Sequence, residues 1–181
     1  MAPRPISTDR LDLVPLQPAV ARLLIARDRR GAELALALRL PEEFPSESDR
    51  TRFLTIQLDR MERFPDRRAW QVRLMVDRDR NVVGHCCFHG PPEVIGRAEI
   101  GYAVFAAYRG RGYAREAACA LAQWAFRKGS REVCAAVSPA NEPSLAVVRA
   151  LGFEQIGIEE DGPELLFVVR PDTLVRAAPG G

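Results

Sequence analysis

The segment Tyr108-Arg109-Gly110-Arg111-Gly112-Tyr113-Ala114 constrains this chain more than any other. An alternating apolar run precedes it, and a long alanine-rich pattern at helical spacing follows it. A strand that breaks into a glycine turn and then a helix start leaves several backbone N–H groups without an intrahelical partner. Those donors, backed by the positive end of the helix dipole, suit an anion. The two glycines let the backbone approach closely, and the flanking arginines can meet phosphate oxygens bidentately. The segment predicts an anion cradle for a phosphate-bearing cofactor.

At 181 residues the chain reads as one domain over residues 1–172, large enough for a real core, with 173–181 as a disordered tail ending Ala177-Ala178-Pro179-Gly180-Gly181. Apolar residues make up 47%, which argues for a globular fold over a disordered one. Net charge is only +2 with both signs interspersed, so neither a nucleic-acid nor a membrane-surface partner is expected. Cys86, Cys87, Cys119 and Cys134 include no CxxC pair, which speaks against a disulfide framework or a zinc ribbon. The N-terminus carries no apolar core of a signal peptide, and no run approaches bilayer length. A reducing cytoplasm is the expected setting.

Periodicity supplies the elements. Arg10–Leu16, Trp70–Val76, Val82–Phe88, Arg97–Phe105, Glu132–Val137, Phe153–Glu160 and Glu164–Val169 read as strands, the last two a hairpin about Asp161-Gly162-Pro163. Helical spacing runs from Pro18 to Gly31, from Ala32 to Leu40, over Phe53, Leu54, Leu58 and Met61, from Ala114 to Ala125, and from Pro143 to Ala150. Ser46 with Asp49 resembles a capping box for the third of these. The expected fold is α/β (α+β): a mixed, mostly antiparallel central sheet of about seven strands with helices on both faces. The cradle falls at the end of the fourth strand.

These features together resemble the GNAT family of N-acetyltransferases. The family's cofactor loop, Gln/Arg-x-x-Gly-x-Gly/Ala, is matched by Arg109-Gly110-Arg111-Gly112-Tyr113-Ala114. Its second signature is matched by Asn141, Ser144 and Leu151-Gly152-Phe153. Ser7-Thr8-Asp9-Arg10-Leu11-Asp12-Leu13 and Glu99-Ile100-Gly101-Tyr102 resemble the branch that includes ribosomal-protein N-terminal acetyltransferases. The resemblance spans roughly residues 6–170, and the signatures occur in the family's order and spacing.

The resemblance implies transfer of an acetyl group from acetyl-CoA, a co-substrate, to a primary amine by direct attack in a ternary complex. It implies a pyrophosphate held by the amides of Arg109, Gly110, Arg111, Gly112, Tyr113 and Ala114, and pantetheine and thioester contacts near Val104 and Ala106. It implies that Asn141 bridges pantetheine amides, although a plain helix cap is the competing reading. Glu99 is the implied base for the acceptor ammonium, against the reading of a hydrogen-bonded strand glutamate. The tyrosine that the family often places seven residues after the asparagine is here Val148, so Ser144 becomes the candidate to protonate the departing thiolate, against a local helix-start role.

His85, Cys87 and His89 share one face of the third strand. Neighbours two apart on a strand lie about 6–7 Å from each other, wider than the ligands of one ion require. No metal is expected, though either histidine can touch substrate. Tyr102 and Tyr108 read as packing or cofactor-side aromatics. The segment 19–64 is the implied acceptor wall, and it leaves the amine open: a protein N-terminus, a polyamine or a small metabolite, with a homodimer possible. The competing classes are a non-catalytic acyl-CoA-binding sensor of the same fold and an RNA or DNA binder using the single Arg-Gly-Arg-Gly stretch. A P-loop NTPase is disfavoured, because the loop lacks Gly-Lys-Ser/Thr.

Overall fold

The computed structural model describes residues 3–95, 97–158 and 162–176. Alternating side chains build one sheet of eight strands in the spatial order β1-β2-β3-β4-β5-β6-β8-β7. These are β1 (Ile6–Ser7), β2 (Leu11–Pro15), β3 (Arg73–Asp77), β4 (Val82–Phe88), β5 (Ala98–Val104), β6 (Val133–Val137), β7 (Glu154–Ile158) and β8 (Leu165–Val169). Every neighbouring pair is antiparallel except β5 and β6. The extra strand relative to the sequence expectation is β1, too short to show any alternation. The predicted fourth strand is therefore β5.

Two apolar clusters flank the sheet. One side carries α5 (Tyr113–Arg127) and α6 (Glu142–Ala150). On α5, Ala117, Ala118, Leu121 and Ala125 are at most 1% exposed, and these small side chains let the helix lie close to Met75, Val83 and Ile100. The other side carries α1 (Pro18–Ile25), α2 (Arg29–Leu36) and α3 (Thr55–Arg63), whose Leu24, Ala32 and Met61 pack with Leu74 and Cys87. Adjacent Cys86 and Cys87 thus face opposite clusters, as strand alternation requires.

Several boundaries differ from the periodicity. The helical segment expected from Pro18 to Gly31 is split: Arg27 turns left-handed (φ 64°), and Asp28 restarts the helix by accepting from the Gly31 amide at 2.8 Å. The expected Ser46–Asp49 box is present: the Ser46 amide donates to Asp49 Oδ2 (2.8 Å), and the Asp49 amide donates to Ser46 Oγ (3.1 Å). A wider π-type turn, Asp49–Leu54, then leads into α3. Trp70 lies in a 3₁₀ turn, Pro65–Trp70, instead of in β3. Its ring packs edge-on against Phe88 and Trp124, at 5.0 and 4.8 Å between centroids, and this packing outweighs its β propensity. A short helix, α4 (Pro92–Ile95), follows the Gly90-Pro91 break. The expected tail end 177–181 and turn residue Asp161 lie outside the described residues; Val175 donates its amide to the Leu151 carbonyl at 3.0 Å.

Candidate active site

The sheet opens at its one parallel junction. β5 pairs with β6 only at Ala98 and Glu99, opposite Val133 and Cys134, while its pairing with β4 runs on to Val104 opposite Gly84. The Ala98 amide donates toward β6, to the Glu132 carbonyl, whereas the Phe105 amide donates to Val83 on the β4 side. Backbone groups alternate along a strand, so the amides of Tyr102 and Val104 turn into the opening. Gly84 makes the approach of β4 possible: a Cβ there would lie 2.3 Å from the Ala103 carbonyl oxygen.

Beyond β5 the chain passes through a 3₁₀ turn, Ala106–Tyr108, into the cradle. Gly110 (φ 74°) and Gly112 (φ 77°) adopt left-handed backbone, which explains glycine at both positions. Gly112 is the N-cap of α5 and supplies no side-chain cap, so the first-turn amides face the opening. A half-buried network holds this end in place. The Glu116 carboxylate accepts from Thr8 Oγ1 (2.6 Å), from the Arg10 amide (2.9 Å) and from Arg10 Nε (2.7 Å). Arg10 also donates from Nη1 to the Arg111 carbonyl at 2.9 Å, tying the cradle to the chain's first strands.

A cavity of about 680 Å³ joins these parts. Val104, Arg109, Gly110, Gly112, Tyr113, Ala114, Asn141 and Ser144 all line it, together with Tyr102 and Tyr108. Of the catalytic and cofactor-binding residues expected from the sequence, Glu99, Ala106 and Arg111 do not line it. The arginines are exposed and bond back to the loop: Arg109 Nε donates to the Val104 carbonyl (3.1 Å), and Arg111 donates to the Ala107 carbonyl (3.2 Å) beside the Tyr108 ring. Asn141 accepts from the Ser144 amide at 3.2 Å, so the cap reading of Asn141 holds while its side chain also borders the cavity. Val148, at the position of the family's tyrosine, is fully buried in the core.

Tyr102 is the residue that the sequence undervalued. Its hydroxyl donates to the Ser144 carbonyl at 3.4 Å inside the cavity, and burial pushes its pKa up to about 12, keeping the phenol protonated. Position on a strand gave no sign of this, because the contact joins β5 to α6.

The α1–α3 face of the same strands holds a second group of titratable side chains. His85 is stacked on Phe53 (4.1 Å between centroids) and flanked by Phe44 and Phe105. Burial among these rings lowers its pKa to about 4, against the weaker pull of Asp49. His89 Nδ1 is paired with Glu99 Oε1. Hydrogen bonding to Cys87 and to Glu99 pushes the His89 pKa up to about 10. Among the described residues no cluster of three or more His, Cys, Asp or Glu is placed to hold a metal, and no helix is long and apolar enough to cross a membrane.

An open sheet edge running into a glycine cradle on an uncapped helix is an arrangement suited to a long donor with a phosphate tail. Residues 10–154 match the family described as the acetyltransferase (GNAT) domain, and the chain belongs to that family. It is 33% identical over 94 residues to the uncharacterised N-acetyltransferase p20 of Bacillus licheniformis, covering 51% of this chain; the match spans about half (53%) of that relative's length. Among solved structures it is similar to a protein from Bordetella pertussis assigned to the GnaT-family acetyltransferases (26% identity, TM-score 0.65, 91% of this chain and 98% of that one). It shares its fold with the ribosomal-protein-S5-alanine acetyltransferase of Vibrio fischeri (17%, TM-score 0.65, 94% and 98%). It also shares it with Mycobacterium smegmatis RimJ in complex with CoA-disulfide (21%, TM-score 0.61, 93% and 90%).

Proposed function

We propose that residues 1–172 form one domain that transfers an acetyl group from acetyl-CoA to a primary amine in the cytoplasm, by direct attack within a ternary complex. The carrying observation is the single cavity in which the free edge of β5, the cradle and the α6 cap meet. In this reading the amides of residues 109–114 hold the pyrophosphate, and Asn141 meets the pantetheine chain. The outward amide of Val104, with Ala106 at the turn beyond, holds the thioester carbonyl and stabilises the oxyanion that forms as the amine attacks.

Glu99 lies on the α1–α3 face of β5, four residues before Ala103, so roughly 13 Å of strand separates it from the cavity wall. It accepts the ammonium proton through water. Ser144 donates toward the departing sulfur. Tyr102 is the second candidate for that donation, favoured by its protonated hydroxyl in the cavity. A peptide N-terminus is a natural acceptor, given that a fold relative is named as a ribosomal-protein-S5-alanine acetyltransferase.

Acetyl-CoA consumption against a panel of peptides, polyamines and small amines tests this reading. Amine-dependent release of CoA is expected; tight acetyl-CoA binding without turnover on any amine would favour the acyl-CoA sensor instead. In the same assay Glu99→Gln is expected to lower kcat at least tenfold and flatten the rise of rate with pH. Comparing Ser144→Ala with Tyr102→Phe assigns the acid. The true donor's loss slows transfer from acetyl-CoA, and a thioester with a more acidic leaving thiol restores the rate.

A further inference from the structure

β4 and β5 carry a second constellation that the proposed amine chemistry does not use in full. Cys87 sits opposite Gly101, and His89 continues β4 opposite Glu99, its amide donating to the Glu99 carbonyl at 3.0 Å. Alternation puts Cys87, His89, Glu99 and Gly101 on one face. The His89 ring lies over Gly101: a Cβ there would lie 3.4 Å from His89 Nε2 and 3.4 Å from Cys87 Sγ. A side chain there would thus touch both the thiol and the imidazole. On its other nitrogen, Nδ1, the ring is held by Glu99 Oε1. A nucleophile beside a ring, with the ring oriented by a third group, is the general signature of an activated nucleophile.

We propose that Cys87, His89 and Glu99 form a thiol site that accepts an acyl group from a thioester. The Cys87 sulfur attacks the thioester carbonyl carbon, a new C–S bond forms, and the donor's C–S bond breaks. The proton shared between Cys87 and His89 passes to the departing thiolate, so thiol and thioester are exchanged with no other reagent. Because one thioester replaces another, the bonds broken and formed are equivalent and the step needs only a thiolate and a proton carrier.

Two further observations support the site. Cys87 is one strand repeat, roughly 7 Å, nearer the cavity wall at Ala103 than Glu99 is. His89 and Glu99 keep 41% and 21% of their side chains exposed, so a small reactant can reach this face beside the ring. Cys86, one residue away, is the internal contrast: it is fully buried on the opposite face, and burial raises its pKa strongly. Cys87 is itself only 7% exposed, which restricts the site to small acyl groups such as acetyl.

The experiment incubates the full chain with acetyl-CoA labelled in the acetyl group, without amine, and maps the label on peptides after denaturing quench. One hydroxylamine-labile acetyl on Cys87 is expected, absent in Cys87→Ser, formed at least tenfold more slowly in His89→Gln, and slowed in Gly101→Ala. An unlabelled Cys87, or label confined to another residue, overturns the proposal. Where Cys87→Ser fails to fold, the peptide map of the wild-type chain decides alone. The site is reached from the acetyl-CoA cavity of the proposed function, and a parallel arm separates the two ideas. S-acetyl-N-acetylcysteamine, a small thioester without a nucleotide, must also label Cys87. Amine acetylation with no label from either donor leaves the proposed function standing and sinks the thiol site. Label from the small thioester with no acetyl-CoA binding in calorimetry does the reverse.

Discussion

His85 shows how one residue can set the acid limit of stability. Its ring is buried against Phe53 and flanked by Phe44 and Phe105, and its pKa is lowered to about 4 from an ordinary 6.5. Between these values the unfolded chain binds a proton that the folded chain does not. Stability therefore rises with pH across this window, and it is lost as pH falls from 6.5 through 4. A shift of this size corresponds to on the order of 3 kcal/mol. His85→Phe keeps a ring of similar size, so its stability, followed by urea denaturation at several pH values, is expected to fall less steeply between pH 6.5 and 4. Equal slopes for both proteins would refute this account. His89 runs the other way: its raised pKa gives stability that is fully present below pH 6.5 and is lost as pH rises from 6.5 through about 10.

At the scale of elements, the start of α5 depends on contacts that its own sequence does not contain. Glu116 is a carboxylate in the first turn of the helix whose positive end is read as the phosphate site. Unneutralised, it would compete with the ligand's phosphates for that end. Arg10 neutralises it and also holds the Arg111 carbonyl. Arg10→Ala is expected to raise the KM for acetyl-CoA roughly 5- to 30-fold, the equivalent of about 1–2 kcal/mol, with kcat little changed. The double variant Arg10→Ala/Glu116→Gln should recover part of that loss. A small acetyl thioester without the nucleotide should show no change in KM; an equal change for both donors would make the clamp merely structural. The glycine cradle, the Ser46–Asp49 box and the Asn141 cap were legible because each is encoded within a few residues. The clamp was not legible, since Arg10 and Glu116 are 106 residues apart and only the fold joins them. The His89–Glu99 pair was missed for a related reason. Alternation gave each residue a face, but the pairing follows from the β4–β5 register, which no local pattern states.

Arg73 bears on the molecule as a whole. It is 1% exposed and donates from Nη1 to the Arg4 carbonyl (3.0 Å) and the Leu13 carbonyl (3.3 Å), and from Nη2 to the Ala69 carbonyl (3.0 Å). Its guanidinium carbon lies 5.5 Å from the Trp124 ring centroid, on α5. One side chain therefore links the N-terminal segment, β2, the 3₁₀ turn and α5. Among the described residues no carboxylate pairs with it, its Nε lacks a partner, and burial lowers its pKa. Two effects oppose each other when it is replaced. Removing a buried, unpaired charge is favourable, and hydrophobic replacements of buried ions are often neutral or better. Leaving buried carbonyls without donors costs about 1–3 kcal/mol each, less where water can reach them. With three carbonyls at stake, the loss of donors outweighs the relief, and Arg73→Met is expected to destabilise by about 1–3 kcal/mol, or roughly 2–12 °C in Tm. Arg73→Lys should be worse than Arg73→Met. It keeps the buried charge, on a more strongly hydrated group, and loses the planar fork that spans Arg4, Leu13 and Ala69. Calorimetry on the three proteins orders them directly. A lysine variant as stable as the wild type would show that charge alone, and not the fork, holds these segments together.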